Sequence, residues 1–389
     1  MSLVFDARNS LAGQAGMHAL VVGVSWYPFL AGGSSPVADP WGMGQLTSTA
    51  STANKILEWL RAAHLPVPLA TCRLLVSPSA GEAALAGIAE PATVDNLLKD
   101  ADEWRQDAST NRENVTLFYF AGHGIQRTKE DAVLCLQDFR KTPGPALRQT
   151  VDLATIRTGM SPAPRRDEIA RTQFYFVDAC RVQPAEQSKF EPMETSSVFD
   201  KDLAGEDDRC SPIFYSSISN HAALALPGEQ TLFSTALLDC LRGAAGDSLG
   251  DDAAGNPLWG VSVAGLNRAL EMRIVDLNRE FGADQTYTTG GQFADAIVCL
   301  LPGAPMVDVA ISIDPEAACA VGQLVVMADG NVVRVTKPAP VAPHPIREQL
   351  PAGLYNVLVS FSPPTPPFVN RARFQTARAP RANWKVRVV

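Results

Sequence analysis

The sequence predicts an α/β fold, with an open, mostly parallel sheet flanked by helices over residues 17–301 and a small all-β sandwich over 303–389. Three observations carry this. Short continuous apolar runs alternate with helical patterns through the first 300 residues, as in sheets buried on both faces. After Pro302 only short alternating or β-branched runs remain, separated by prolines and glycines. Charge breaks at the same place: residues 303–389 hold nine Lys/Arg against five Asp/Glu and 12 of the 29 prolines, although the whole 389-residue chain has a net charge of −8.

The elements follow in order. His18–Ser25 (HALVVGVS) is a Val-rich strand, followed by a Gly/Pro-rich loop over Tyr27–Gly44. A helix is expected from Thr47 to Ala63, with Ile56, Leu57 and Leu60 on one face, then a strand over Ala70–Val76. Thr93–Ala108 is a helix with Thr93 as N-cap and Asp95 in the first turn, where the helix dipole favours an acid. Asn114–Phe120 is the third strand, Val133–Leu136 a short fourth, and Leu153–Thr158 a helix. Strands at Thr172–Val177 and Pro212–Ser216 and helices at Phe233–Leu241 and Ser262–Phe281 complete the first part. Six strands are expected beyond it: Val307–Ile313, Gln323–Ala328, Asn331–Val335, Gly353–Phe361, Arg371–Thr376 and Trp384–Val389.

Composition excludes several classes. With 46% hydrophobic and 19% charged residues, the chain is not dominated by disorder, collagen or coiled coil. A net charge of −8 speaks against bulk nucleic-acid binding. Met1–Gly16 lacks a signal-peptide pattern, and no apolar stretch approaches a membrane span. Seven scattered cysteines with no CxxC pair suit a reducing compartment, so a cytoplasmic location is expected.

Two strands end in reactive side chains, and in open α/β sheets function gathers at the carboxyl ends of strands. NVTLFYF runs into AGHG, which sets His123 between Gly122 and Gly124. TQFYFV runs into DACR, which sets Asp178 and Cys180 at its mouth. The shared aromatic bodies mark adjacent central strands, so His123 and Cys180 are expected to meet. An imidazole beside a thiol can take its proton and later protonate an amine leaving group. The backbone N–H groups of Gly124 and Cys180 are the candidate oxyanion donors. That constellation is one for acyl transfer.

FYFAGHG and FYFVDACR resemble the His and Cys motifs of the caspase-like peptidases, which include caspases, metacaspases and bacterial relatives. Cys180 lies 57 residues after His123, near the spacing of about 50 in caspases. IFYSSIS and TLFSTALLDCL resemble that family's small-subunit strand and helix. The resemblance implies a Cys-His endopeptidase that acts on protein or peptide substrates, with no cofactor expected, and that can be activated by proteolysis or a protein partner in a bacterial defence or cell-death system. Asp178, two residues before the cysteine, resembles the metacaspase acid that selects Arg or Lys, and Ser216 and Ser217 join it as substrate-binding residues. The His-Ser-Gly that follows the metacaspase cysteine is missing, so the sequence gives no support for calcium dependence and leaves it open. The polar segment Arg181–Ser211 occupies the position of the family's activation loop, with Lys189, Lys201 and Arg209 as candidate processing sites.

Two rival readings stand beside this one: a catalytically inactive caspase-fold binding module, and a different doubly wound hydrolase or nucleotide-binding protein. The missing phosphate loop argues against the latter. Cys72, Cys135, Cys240 and Cys299 lie in apolar runs and are expected in the core. His221 is a candidate for a substrate subsite. Gly42-Met43-Gly44 lacks the third glycine of a dinucleotide fingerprint. The basic run Arg371–Arg387 is expected to be an outward strand face.

Overall fold

The computed structural model describes residues 1–126, 132–142, 147–180, 195–199, 206–217, 230–362 and 367–389. Contacts divide the chain into two units: Met1–Leu238 with Ile274–Ala296, and Asp239–Arg273 with Ile297–Val389.

The first unit is built on a seven-stranded sheet. Its strands are β1 (Leu3–Asp6), β2 (Met17–Val24), β3 (Leu69–Ser77), β4 (Val115–Gly122), β8 (Thr172–Ala179), β9 (Ser211–Tyr215) and β12 (Thr288–Gln292), in the spatial order β1-β3-β2-β4-β8-β9-β12. The five central strands run parallel, and β1 and β12 close the edges antiparallel. All eight residues of β2 and all eight of β4 are buried. Such two-sided burial explains why these strands are continuous apolar runs rather than alternating ones. Three further short strands, β5 (Gly124–Ile125), β6 (Val133–Cys135) and β7 (Thr150–Asp152), pair with one another antiparallel. The strand expected at Val133–Leu136 therefore exists but stands outside the main sheet. Three residues are too few to span it.

Helices cover both faces. The helix α3 (Val94–Ala108) starts where expected, with the Thr93 side chain accepting from the Asn96 N–H. It packs Leu97, Ala101 and Trp104 against the even-numbered side chains Leu20, Val22, Phe118 and Phe120. The indole of Trp104 donates to the His18 carbonyl at 2.9 Å, so its polar atom is satisfied inside the core. The helix α2 (Thr49–Ala62) lies on the opposite face, over Gly23. A Cβ there would fall 2.6 Å from both the Ala53 Cβ and the Thr49 carbonyl oxygen, closer than packed atoms approach. Glycine therefore sets how near α2 sits to β2. The α2 N-terminus is fixed by Thr49 Oγ1 donating to the Val24 carbonyl at 2.6 Å and by Ser25 Oγ accepting from the Ala50 N–H at 2.9 Å.

The second unit holds two sheets that enclose one apolar core. One joins β14 (Met306–Asp314), β17 (Ile346–Pro351) and β20 (Arg381–Arg387). The other joins β15 (Gly322–Ala328), β16 (Val332–Lys337), β18 (Gly353–Phe361) and β19 (Arg371–Ala377). Inward residues Val307, Val309, Ile311, Leu324, Val326, Val357 and Trp384 form that core. The sandwich is thus present, but β14 and β20 pair parallel, and β17 adds a strand the sequence pattern did not show. The compositional break at 302/303 falls inside this unit. The strands β10 (Asp247–Asp251), β11 (Pro257–Ser262) and β13 (Ile297–Leu301) form a third sheet of the same unit, and Trp259 packs on the sandwich core.

Replacing Gly23 by alanine forces α2 off β2. Overpacking of this kind costs about 1–3 kcal/mol, so Gly23→Ala is expected to lower the denaturant midpoint of the first unit's unfolding transition by a corresponding amount.

Candidate active site

The site is set by the register of β4 on β8. Ala121 pairs with Asp178 and Gly122 with Ala179. The next residue of each strand, His123 and Cys180, therefore leaves the sheet at neighbouring positions. Both line one cleft of about 290 Å³, together with Gln45 to Thr49, Gly122, Asp178 and Thr231. Gly124 makes the close packing possible: a Cβ at that position would fall 2.5 Å from the Cys180 carbonyl oxygen and 2.9 Å from the Ala179 Cβ. Any side chain there would push the histidine segment away from the cysteine.

His123 is held on three sides. Its Nε2 lies 2.7 Å from the Gly44 carbonyl oxygen. A carbonyl can only accept, so Nε2 carries the hydrogen, and the neutral ring keeps the Nδ1 lone pair as its basic site. Its backbone N–H donates to Tyr27 Oη at 2.8 Å, and that hydroxyl donates to the Cys135 carbonyl at 3.2 Å. The Tyr27 ring lies tilted against the imidazole with centroids 4.8 Å apart. Burial holds the imidazole pKa below its ordinary value, and the Gly44 carbonyl acts in the opposite direction. The loop that carries Gly44 is tied by Gln45, which accepts from the Tyr27 N–H at 2.8 Å and donates to the Tyr27 carbonyl at 2.9 Å and the Ala31 carbonyl at 3.0 Å.

None of the seven cysteines is in a disulfide, and six are buried; Cys180 is the partly exposed one. Burial pushes the thiols of Cys72 and Cys299 up to about 12, and those of Cys135, Cys210, Cys240 and Cys319 also upward. These thiols stay protonated and inert at neutral pH.

Asp178 is fully buried. Its Oδ2 accepts from Thr231 Oγ1, from Ser234 Oγ at 2.5 Å and from Tyr119 Oη at 3.5 Å. Its Oδ1 has no hydrogen-bond partner among the described residues. Burial raises the carboxyl pKa, and the hydroxyl donors oppose that rise. The result is a carboxylate fixed at one oxygen and unsatisfied at the other, on the wall of the cleft.

Other expected site residues fall elsewhere. Ser216 and Ser217 are completely buried, and both hydroxyls donate to the Ala179 carbonyl, at 3.2 and 3.1 Å. Their side chains therefore brace the strand end before Cys180 and do not line the cleft. Arg209 is 5% exposed and donates to Asp207, to the Arg157 carbonyl, to Ser161 and to Gln173. A side chain so fixed means that cleavage after Arg209 would require local unfolding of this segment. Lys189, Lys201 and His221 lie outside the described residues.

Sequence reasoning missed Tyr27, Gly44, Thr231, Ser234 and Tyr119. The Gly42-Met43-Gly44 run was the available signal for the second, and its use is a carbonyl acceptor for His123. The others were not marked by spacing, since their partners lie 53 to 115 residues away.

The doubly covered α/β sheet thus delivers a histidine and a partly exposed thiol to one cleft. The model of the caspase-domain family, Peptidase_C14, matches residues 17–253. The chain belongs to that family. No curated protein matches the chain. The crystal structure of a protein from Geobacter sulfurreducens is similar at a TM-score of 0.43 and 12% identity, covering 74% of this chain and 98% of that one. Among the described residues, no helix is long and apolar enough to cross a membrane, and no group of three or more His, Cys, Asp or Glu is placed to hold a metal ion.

Tyr27→Phe removes the acceptor of a buried backbone N–H. Leaving such a donor unpaired costs about 1–3 kcal/mol, so the variant is expected to unfold at lower denaturant than the wild type by that margin, measured by tryptophan fluorescence.

Proposed function

We propose that this caspase-domain protein is a cysteine endopeptidase that cleaves after Arg or Lys, with Cys180 as nucleophile and His123 as general base and acid. The observation that carries this reading is the shared cleft, in which the partly exposed thiol, the Nε2-anchored imidazole and the unsatisfied Asp178 oxygen converge.

The chemistry follows from the atoms. Cys180 Sγ passes its proton to His123 Nδ1, and the thiolate attacks the scissile carbonyl carbon. The oxyanion formed faces the N–H groups of Gly124 and Cys180. The imidazolium then protonates the departing amine, the C–N bond breaks and a thioester remains. Water, deprotonated by the neutral imidazole, hydrolyses it and restores the thiol. Gly44 fixes the tautomer throughout, the part of an orienting third group.

Asp178 supports a basic P1 residue. A guanidinium or ammonium would satisfy Oδ1 and neutralise a buried charge, whereas an acidic or apolar side chain would leave it unpaired. Activation by cleavage or by a protein partner, and service in bacterial defence or cell death, rest on the family resemblance. Lys189, Lys201 and Arg209 remain the candidate processing sites.

A panel of fluorogenic peptides ending in Arg, Lys or Asp tests this reading. The wild type is expected to cleave after Arg and Lys, and Cys180→Ala to lose at least about a thousandfold in kcat. Asp178→Asn is expected to lose about a hundredfold in kcat/KM on the basic substrates. Cleavage only after Asp would overturn the basic preference, and absence of turnover would leave the fold as a binding module.

The pH profile gives a separate check. Because burial lowers the His123 pKa below 6.5, the base stays unprotonated into mildly acid solution. The acid limb of kcat/KM is therefore expected to have its midpoint below pH 6.5, and a midpoint above it would contradict a half-buried imidazole held neutral.

A further inference from the structure

We infer that a second pocket, beside the catalytic cleft and lined by Trp26, Leu46, Ser79, Ala80, Gly81 and Glu82, binds an apolar side chain on the leaving-group side of the scissile bond. The inference rests on the peptidase reading above and adds the direction of the bound chain.

The order of the parallel strands fixes that direction. From one side of the sheet to the other, the carboxyl ends run β8, β4, β2, β3. Asp178 and Cys180 stand at β8, so the P1 side chain and the acyl carbon are held there. His123 stands at β4 and protonates the leaving amine. The chain that continues from that amine must pass onward, over the ends of β2 and β3. The second pocket lies there, with a volume of about 430 Å³, and shares Gln45, Leu46 and Thr47 with the catalytic cleft. The two are one continuous groove.

Three features give the pocket its chemistry. Trp26 and Leu46 are partly exposed and present apolar surface, while Ala80 and Gly81 add little side-chain bulk to the lining. Glu82, which also lines the pocket, already accepts from the N–H and hydroxyl groups of both Ser51 and Ser79, at 2.7 to 2.9 Å. Its four acceptor sites are thus filled, and it holds the walls together as an ionised group rather than offering a free hydrogen bond. An incoming acid is repelled by it, and an apolar side chain gains from Trp26 and Leu46.

A second observation marks the path. Ser48 stands at the N-cap of α2, where a serine ordinarily accepts from the helix's own N–H groups, yet it makes no such bond. Its hydroxyl is buried, has no hydrogen-bond partner among the described residues, and lines the catalytic cleft at the loop the two pockets share. A peptide backbone crossing from His123 toward Trp26 would satisfy it.

The test uses peptides with one acyl part ending in Arg, followed by Leu, Phe, Gly or Asp at the first two positions after the bond, alongside the matching Arg-coumarin amide. The wild type is expected to favour Leu or Phe over Asp by about tenfold or more in kcat/KM. Trp26→Ala and, separately, Leu46→Ala are expected to bring that ratio to within about twofold of unity. Ser48→Ala should lower kcat/KM on the peptides more than on the coumarin amide. If the amide is cleaved but the ratio is near one in the wild type, or survives both pocket substitutions, the pocket assignment is overturned and the peptidase reading stands. If Cys180-dependent cleavage of the amide is itself missing, the peptidase reading fails and the assignment falls with it.

Discussion

The site depends on the parallel register between β4 and β8. Gly122 pairs with Ala179, so the residues that follow emerge at the same level. A slip of one residue would turn one of the two side chains to the opposite face of the sheet. The register is pinned by burial: every β4 residue and all but the first of β8 is buried. Gly124 then lets the histidine segment fold back onto the Cys180 carbonyl. Packing of aromatic side chains well below the surface thus becomes the geometry of two reactive groups at it.

Low dielectric assigns the roles around that geometry. The same burial that keeps six thiols protonated also keeps the imidazole neutral and its Nδ1 available. Hydroxyl donors from Thr231, Ser234 and Tyr119 hold one oxygen of Asp178 in a setting that would otherwise disfavour its charge. The other oxygen has no hydrogen-bond partner among the described residues. An unpaired buried carboxylate oxygen is costly to the free protein, and under the proposed specificity a basic side chain would relieve that cost.

Much of this was legible in the sequence because it was local. Gly-His-Gly and Asp-Ala-Cys each follow an aromatic strand, and period and composition locate such strands without a structure. The edge strands β1 and β12 were not legible. Four and five residues long, with β12 reading Thr-Thr-Gly-Gly-Gln, they carry no hydrophobic period and exist because a partner strand offers hydrogen bonds. Ser216 and Ser217 were expected to bind substrate through the family resemblance, but both hydroxyls donate to the Ala179 carbonyl, a contact 37 and 38 residues away that no local pattern encodes. Tyr27 and Gly44 sit in a loop whose Gly/Pro content signals only a turn. Their value comes from a contact with His123 across 79 or more residues, which no local pattern encodes. The second unit shows the same limit: inward alternation revealed its strands, while the parallel closure of β20 on β14 depends on chain path.

The most direct measurement is covalent labelling of the native protein with a peptidyl-arginine acyloxymethyl ketone, followed by mass-spectrometric mapping of the modified residue. The reagent alkylates a thiolate only when a basic side chain is seated beside it and the sulfur is activated. The account predicts one thioether, on Cys180, formed in wild type and suppressed in His123→Ala. Labelling of any of the other six cysteines in preference to Cys180, or no labelling of the folded protein under conditions where free thiols react, would contradict it.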